Sequence, residues 1–396
     1  MASEFWIQSA LQGLALELPS GFSKTALSEA PLHIHGLLTN DGAIQQIDGR
    51  CLLTTQTLKV HYQENPNNAA WQFNSSNLSS TLLIDHNKHL PWVLNIQHFQ
   101  WQIPETAKIT ANPFNFDLTS IPAMNIDAQQ LHVGQQFIAH VTLQLRPTTQ
   151  GIAIKEVKLN TPLYQMTGSG QWTPAFSQFV GDLSTQKLTT LLTHFSLPAF
   201  IDSSDSQVHF DLQWPGAPWQ VDFTHVKGHL TAIFTNGSLP DVGNSASSSF
   251  GKLLNLLSIS SLPQHLSFNF SDLSAKGFSF KHIKGEFDLA EQQVNVPALT
   301  IDSALANVNA HGCLNLPEQS YQLVMEVKPH LTSTLPIIAT IAGGPILGAV
   351  SLAANMLISP AVSQIASSDY LISGPWADPN QQRYDSYQAA DAALHC

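Results

Sequence analysis

From Pro31 to Lys328 apolar and polar residues alternate over runs of five to eight positions, each run broken by Gly, Pro, Asn or Asp. A period of two is that of a strand with one buried and one wet face, so the pattern predicts a succession of β-strands. Between Val208 and Trp214, for example, Val208, Phe210, Leu212 and Trp214 fall on one face, and His209, Asp211 and Gln213 fall on the other. The Pro and Gly residues from Pro215 to Pro218 then predict a turn into a second strand, Trp219 to Phe223, and therefore a hairpin. Leu266, Phe268 and Phe270 alternate with Ser267, Asn269 and Ser271, Phe278 and Phe280 alternate with Ser279 and Lys281, and Phe287 and Leu289 follow Gly285. These read as three strands. Leu299/Ile301, Val308/Ala310, Leu314/Leu316 and Tyr321/Leu323/Met325/Val327 continue the series, with turns expected at Asp302-Ser303, at Gly312 and from Leu316 to Ser320. About ten to twelve residues per strand and turn suits an antiparallel meander.

Helical patterns are few. The best is Ala246 to Ser258, where Phe250, Leu253, Leu254 and Leu257 share a stripe behind the capping serines Ser247 to Ser249. After Lys328 the chain changes character: residues 329–368 contain no Lys, Arg, Asp or Glu. Within them, Leu335 to Ile358 is nearly apolar and reaches the roughly 20 residues that cross a bilayer. Gly343, Gly344 and Pro345 interrupt it, which predicts two short helices in a hairpin. The expectation is a membrane-contacting segment presenting Ile337, Ile338, Ile346, Leu347, Val350, Leu357 and Ile358, with a buried helix pair capping the sheet as the alternative. Tyr370 to Pro379 reads as a final strand and turn, and the rest as a flexible tail. The domain division is thus 1–328, 329–368 and 369–396.

Composition narrows the function. Only 11% of the 396 residues are charged, where a soluble domain carries roughly 25%. The net charge is -12, with arginine only at Arg50, Arg146 and Arg383, so no basic stripe exists to neutralise a phosphate backbone, and nucleic acid is excluded as a partner. Cys51, Cys313 and Cys396, an odd number at unrelated spacings, predict neither a disulfide framework nor a metal site. A single core stops growing near roughly 250 to 300 residues, so the length implies several domains or an elongated sheet with a distributed core. Met1 to Leu18 lacks the basic start and unbroken apolar core of a secretory signal, and reads instead like the interior of a strand-rich protein. The chain is therefore expected to be the C-terminal part of a longer polypeptide, or an open reading frame split from one.

His33 and His35 share a strand face at a spacing that can bind a metal, but no third ligand lies nearby, and they are read as solvent-facing positions. His86, His89, His132, His140, His225, His229 and His282 are likewise scattered over strand positions and stand in for charge. No nucleophile elbow, P-loop or dinucleotide fingerprint follows any strand. Neither catalysis, cofactor nor metal is expected. Strands with one apolar face must set it against a second sheet, against their own barrel, or against a ligand, and that choice decides the function.

An ordered set of segments resolves it by resemblance. These are Phe250–Pro263 (FGKLLNLLSISSLP), Leu266–Phe270 (LSFNF) with Asp272-Leu273, Gly277–Phe280 (GFSF), Ile283–Gly285 (IKG), Pro329 to Leu335, Ala342–Pro345 (AGGP), and Gly374-Pro375-Trp376 with Asp378-Pro379. Together with Ser9 to Pro19 and Lys24 near the start, the set resembles the C-terminal region of the YhdP-type members of the AsmA-like envelope proteins. The resemblance implies a mainly β protein, an elongated, curved antiparallel sheet forming an apolar groove, with a short apolar helical segment near the C-terminus. It implies non-enzymatic phospholipid transport between the inner and outer membranes of a Gram-negative envelope. Localisation would be the periplasm, anchored in the inner membrane through an N-terminal segment absent from this chain. Phospholipid, the inner leaflet of the outer membrane and envelope proteins would be the partners. The groove candidates are Phe210, Leu212, Phe268, Phe270, Phe278, Phe280, Phe287, Leu323 and Met325. Each methylene left in water costs about 0.8 kcal/mol, so shielding a chain of about fifteen carbons offsets roughly 10 kcal/mol. The alternative is a structural or scaffolding β protein of the envelope that binds protein partners, with its apolar faces packed together.

Overall fold

A computed structural model of the chain describes residues 3–15, 22, 24–53, 56–101, 118–133, 136–194, 199, 201–218, 221, 225–239, 278–290, 292–304, 306–330, 368–375 and 380–396. They divide into two units, Met1–Gly181 with Trp214–Val221, and Asp182–Gln213 with Asp222–Cys396. Both are mainly β.

The first unit opens as a meander of seven antiparallel strands, each paired with the next: β1 (Ser3–Ser9), β2 (Leu32–Leu38), β3 (Ile44–Leu52), β4 (Thr57–Glu64), β5 (Asn68–Asn74), β6 (Leu78–Asp85) and β7 (Trp92–Trp101). There the run of antiparallel pairs is broken. β7 pairs in parallel with β8 (Met124–Ala128) and β9 (Leu131–Val133), which requires a crossover rather than a tight turn. β10 (Gln136–Ile138) closes a hairpin with β9, and β8 pairs with β11 (His140–Pro147), from which β12 (Ile152–Asn160) and β13 (Gln165–Trp172) resume the meander. β14 (Phe176–Thr185) follows.

In the second unit a seven-residue helix, α1 (Leu188–His194), precedes eight strands that pair antiparallel in sequence order: β15 (Asp202–Pro215), β16 (Lys227–Leu239), β17 (Phe278–Ala290), β18 (Gln293–Asp302), β19 (Ala306–Asn315), β20 (Ser320–Pro329), β21 (Ser368–Pro375) and β22 (Asn380–Tyr384). The chain ends in α2 (Tyr387–Asp391), capped at its start by the Ser386 side chain, which accepts a hydrogen bond from the Ala389 amide.

Several details differ from the sequence reading. β15 pairs antiparallel with β16, with Gln213 opposite Lys227, while the strand expected at Trp219 to Phe223 lies, except for residue 221, outside the described residues. Phe278 to Leu289, read as two strands, falls within the single 13-residue strand Phe278–Ala290. Gly312 is not a turn but lies within β19 at a φ of +146°, where a Cβ would collide with the Gln322 carbonyl oxygen of β20. Glycine alone lets the two strands approach there. The tail expected to be flexible is folded: Val324, Leu371 and Ala390 are buried together, with Tyr384, Tyr387, Ala393 and Leu394 around them. A disulfide between Cys313 and Cys396 fastens it to β19, so two of the three cysteines do pair. The helix expected over 246–258 and the whole segment 331–367 lie outside the described residues.

Candidate functional site

Directly opposed residues of paired strands share a face, so register alone traces what each face is made of. In the first unit one row runs from Phe5 through Gly36, Ile47, Tyr62, Trp71, Leu82, Leu94, Ile126 and Leu143 to Val157. No charged residue interrupts it across ten strands. The neighbouring row, two residues along, runs through Ile7, Ile34, Gly49, Val60, Phe73, Ser80, Ile96, Ala128, Val141, Leu159 and Met166. The parallel pairing at β7 and β8 keeps both rows in step.

The exposure of this face is as informative as its chemistry. From Ile47 to Leu143 every member of the first row is half-buried, with aromatic and aliphatic side chains packed beside one another but still reached by solvent. Trp71 lies at the centre, with ring centroids 4.6 Å from Tyr62 and 6.4 Å from Phe73. The Tyr62 hydroxyl escapes this surface by donating to Glu64; burial first, and then that carboxylate, push its pKa up to about 12, so it stays protonated. Ile152, Ile154 and Val157, toward the end of the unit, are buried.

The second unit carries the same design. Phe210 stands opposite Leu230, and Leu230 opposite Phe287. Val208, Ala232, Gly285, Leu299, Ala310 and Met325 form a row, and Leu323 stands between Gly312 and Ile372. Of the expected groove residues, Phe280, Phe287, Leu323 and Met325 meet in one apolar cluster, onto which α1 packs Leu188 and Leu192. Phe210, Leu212 and Phe287 are half-buried, whereas Phe280, Leu323 and Met325 are 4%, 7% and 6% exposed. Phe280 joins the cluster through a slip in the alternation: Lys281 and His282 are both exposed between it and the buried Ile283. Phe268 and Phe270, the side chain of Phe278, and Ile337, Ile338, Ile346, Leu347, Val350, Leu357 and Ile358 lie outside what the structure describes.

The opposite faces are polar, and histidine does much of the work of lysine there. His61 meets Asp48 at 2.7 Å, His140 meets Asp127 at 2.9 Å, His209 meets Asp182 at 2.9 Å and His229 meets Asp288 at 2.7 Å, each pair joining adjacent elements of the sheet. In the C-terminal tail the His311 ring is held between the Asp391 carboxylate at 2.7 Å and the Tyr387 hydroxyl at 2.6 Å. Among the described residues no group of three or more His, Cys, Asp or Glu is placed to hold a metal ion, and no helix is long and apolar enough to cross a membrane.

Sheets with one greasy face, one wet face and a row pattern carried through strand after strand define a class of β-meander proteins whose distinguishing feature is a long apolar surface. Within that class the chain belongs to the YhdP family, whose sequence model, described as YhdP protein, matches residues 46–381. Among curated proteins it is similar to the intermembrane phospholipid transporter YhdP of Escherichia coli (strain K12), at 24% identity over 335 residues. That match covers 81% of this chain but only 26% of the relative, so the chain spans about a quarter of the relative's length. No solved structure matches.

Proposed function

We propose that this chain is a non-enzymatic module of phospholipid transport between the two membranes of a Gram-negative envelope, and that lipid acyl chains lie along the half-exposed apolar rows. The observation that carries this reading is the uninterrupted row from Phe5 to Val157, apolar on every strand and open to solvent along most of its length. Isolated exposed apolar residues are ordinary, but a contiguous apolar strip marks a binding surface. Membership of the YhdP family and the printed name of the E. coli relative support the choice of phospholipid as its occupant. Within the second unit, taken by itself, the half-buried Phe210, Leu212 and Phe287 would line a surface of the same kind, with Phe280, Leu323 and Met325 as the core beneath it. The uncharged segment 329–368 would contact the inner leaflet of the outer membrane, through Ile337, Ile338, Ile346, Leu347, Val350, Leu357 and Ile358. The Cys313–Cys396 disulfide supports an oxidising compartment such as the periplasm.

Photo-crosslinking amino acids at Trp71 and Leu82 test the reading against the same probe at Gln72 and Thr81, their neighbours on the polar face. Lipid adducts at the first pair and none at the second are expected. Equal labelling at all four, or protein that carries no phospholipid in native mass spectrometry when purified without detergent, would overturn it.

A further inference from the structure

On the polar face of the first unit, behind the apolar rows, register brings three basic side chains into line. His33 on β2 stands opposite Arg50 on β3, and Arg50 opposite Lys59 on β4, with Gln8 and Asn74 at the two ends of the row. Like charges directly opposed across strands repel and are disfavoured. Here they occur in a protein of net charge -12 with only 16 Lys and Arg. Elsewhere on these faces three lysines are matched by an acid two residues away: Lys158 pairs with Glu156, Lys284 with Glu286, and Lys328 with Glu326. Among the described residues neither Arg50 nor Lys59 meets a carboxylate.

Two acids lie nearby on this face and both are engaged elsewhere: Asp48, in the adjacent row, is held by His61 on one side and faces His35 on the other, and Glu4 meets His35 at 3.4 Å. The His61 hydrogen bond holds the Asp48 carboxyl below its ordinary value, so it is spent on its own partner. Trp6 stacks on His35 with centroids 5.2 Å apart, which walls one side. An open concavity of about 530 Å³ is lined by the residues of these two rows together with Ile7, Ile34, Gly49 and Val60 between them.

We propose that His33, Arg50 and Lys59 form a site for a phosphoryl anion, either the headgroup of a phospholipid or a soluble phosphate ester. A guanidinium offers a planar fork of donors that fits phosphate oxygens, and an ammonium one strand away adds a second charge-assisted bond. Gln8 and Asn74 supply neutral donors at the ends of the row. An anion bound there would relieve the cross-strand repulsion that the chain otherwise carries. The site is on the face opposite the apolar rows and stands independently of the carrier reading.

The test is titration calorimetry at low ionic strength with inorganic phosphate and with glycerol phosphate, alongside co-sedimentation with vesicles of phosphatidylglycerol or of phosphatidylcholine. The proteins compared are wild type, the double variant Arg50→Gln with Lys59→Gln, and Lys284→Gln as a charge control in the other unit. Wild type and Lys284→Gln should bind alike, and the double variant about tenfold more weakly, with thermal stability unchanged or raised because opposed charges have gone. Binding to the soluble anions alone would make the ligand a free phosphate ester; binding to vesicles would make it a headgroup. Undiminished binding in the double variant, an equal loss in Lys284→Gln, or no binding of any probe by wild type would overturn the site. None of these results alters the crosslinking expected at Trp71 and Leu82.

Discussion

Removing the Cys313–Cys396 bond by Cys396→Ser tests whether the C-terminal tail is fastened covalently or held by its own packing. The two cysteines are 83 residues apart, and closing a loop of that length removes chain entropy worth about 4.5 kcal/mol at 25 °C from the unfolded ensemble. Against this stands little: α2 has five residues, too few to be helical alone, and its own buried side chain is Ala390. The His311 bonds to Asp391 and Tyr387 add about 1–2 kcal/mol between them. Loss of the disulfide should therefore release the tail before the sheet. The backbone amides of Ala389, Ala390 and Ala392 should lose hydrogen-exchange protection, and the urea midpoint of the second unit should fall by about 2 M at a slope of roughly 2 kcal/mol per M. His311→Ala, which keeps the disulfide, should loosen the same amides without moving the midpoint far. Retained protection and an unchanged midpoint in Cys396→Ser would refute the reasoning, since packing of Val324, Leu371 and Ala390 would then suffice.

Three further outcomes follow from single side chains. Gly312→Ala should destabilise the second unit by about 1–3 kcal/mol in chemical denaturation, because its φ of +146° and the Gln322 carbonyl both exclude a Cβ. Asp369 is 6% exposed with one carboxylate oxygen unpartnered, and burial first, then Glu326, raise its pKa. A raised folded value means that this group favours folding at low pH and that the contribution is lost as pH rises through that value; Asp369→Asn should accordingly raise the melting temperature at pH 7 by a few degrees, and the gain should vanish below the ordinary carboxylate range. Leu82→Asp should fold, since the site is half-buried, yet lose co-purified phospholipid in native mass spectrometry, while Thr81→Asp on the other face should not.

Period-two patterning carried most of the fold because each strand meets one requirement, an apolar residue at every second position, and Val208, Phe210 and Leu212 face as their spacing predicts. Local patterning failed where a distant partner decides the structure. Cys313 and Cys396 sit in no motif and meet only because α2 folds back onto β20 and β21. Gly312 looked like punctuation because glycine breaks strands on average, but here it admits a neighbouring backbone. The parallel pairing of β7 with β8 leaves no local trace, since both strands read alike in either direction. α1 escaped notice because Leu188, Leu191 and Leu192 are its only apolar positions, and the threonines between them are as common in strands. In the sequence the apolar face of the first unit is legible only as pattern, whereas the phenylalanines of the second unit stand out one by one. The row from Phe5 to Val157 becomes visible only when register is known.

A surface defined by rows rather than by individual contacts explains how a family fold can persist at 24% identity to a relative. If acyl chains are the occupants, as proposed, they present no hydrogen-bond pattern to be matched, so any aliphatic or aromatic residue at a row position would satisfy the requirement. Exchange of Ile126 for Leu or Val should be nearly silent, since only a methylene or its placement changes and the site is half-buried. A charge in the same place would interrupt the row on both sides and strand the neighbouring side chains from any ligand spanning them. The sensitivity of the surface should therefore depend on polarity and hardly at all on shape, the reverse of an enzyme pocket, where one methylene discriminates substrates. A scan of Tyr62, Trp71, Leu82, Leu94, Ile126 and Leu143 to alanine and separately to aspartate would decide it. Alanine variants should each retain most bound lipid and aspartate variants little, whereas one alanine variant that abolished binding alone would mean a discrete pocket rather than a continuous face.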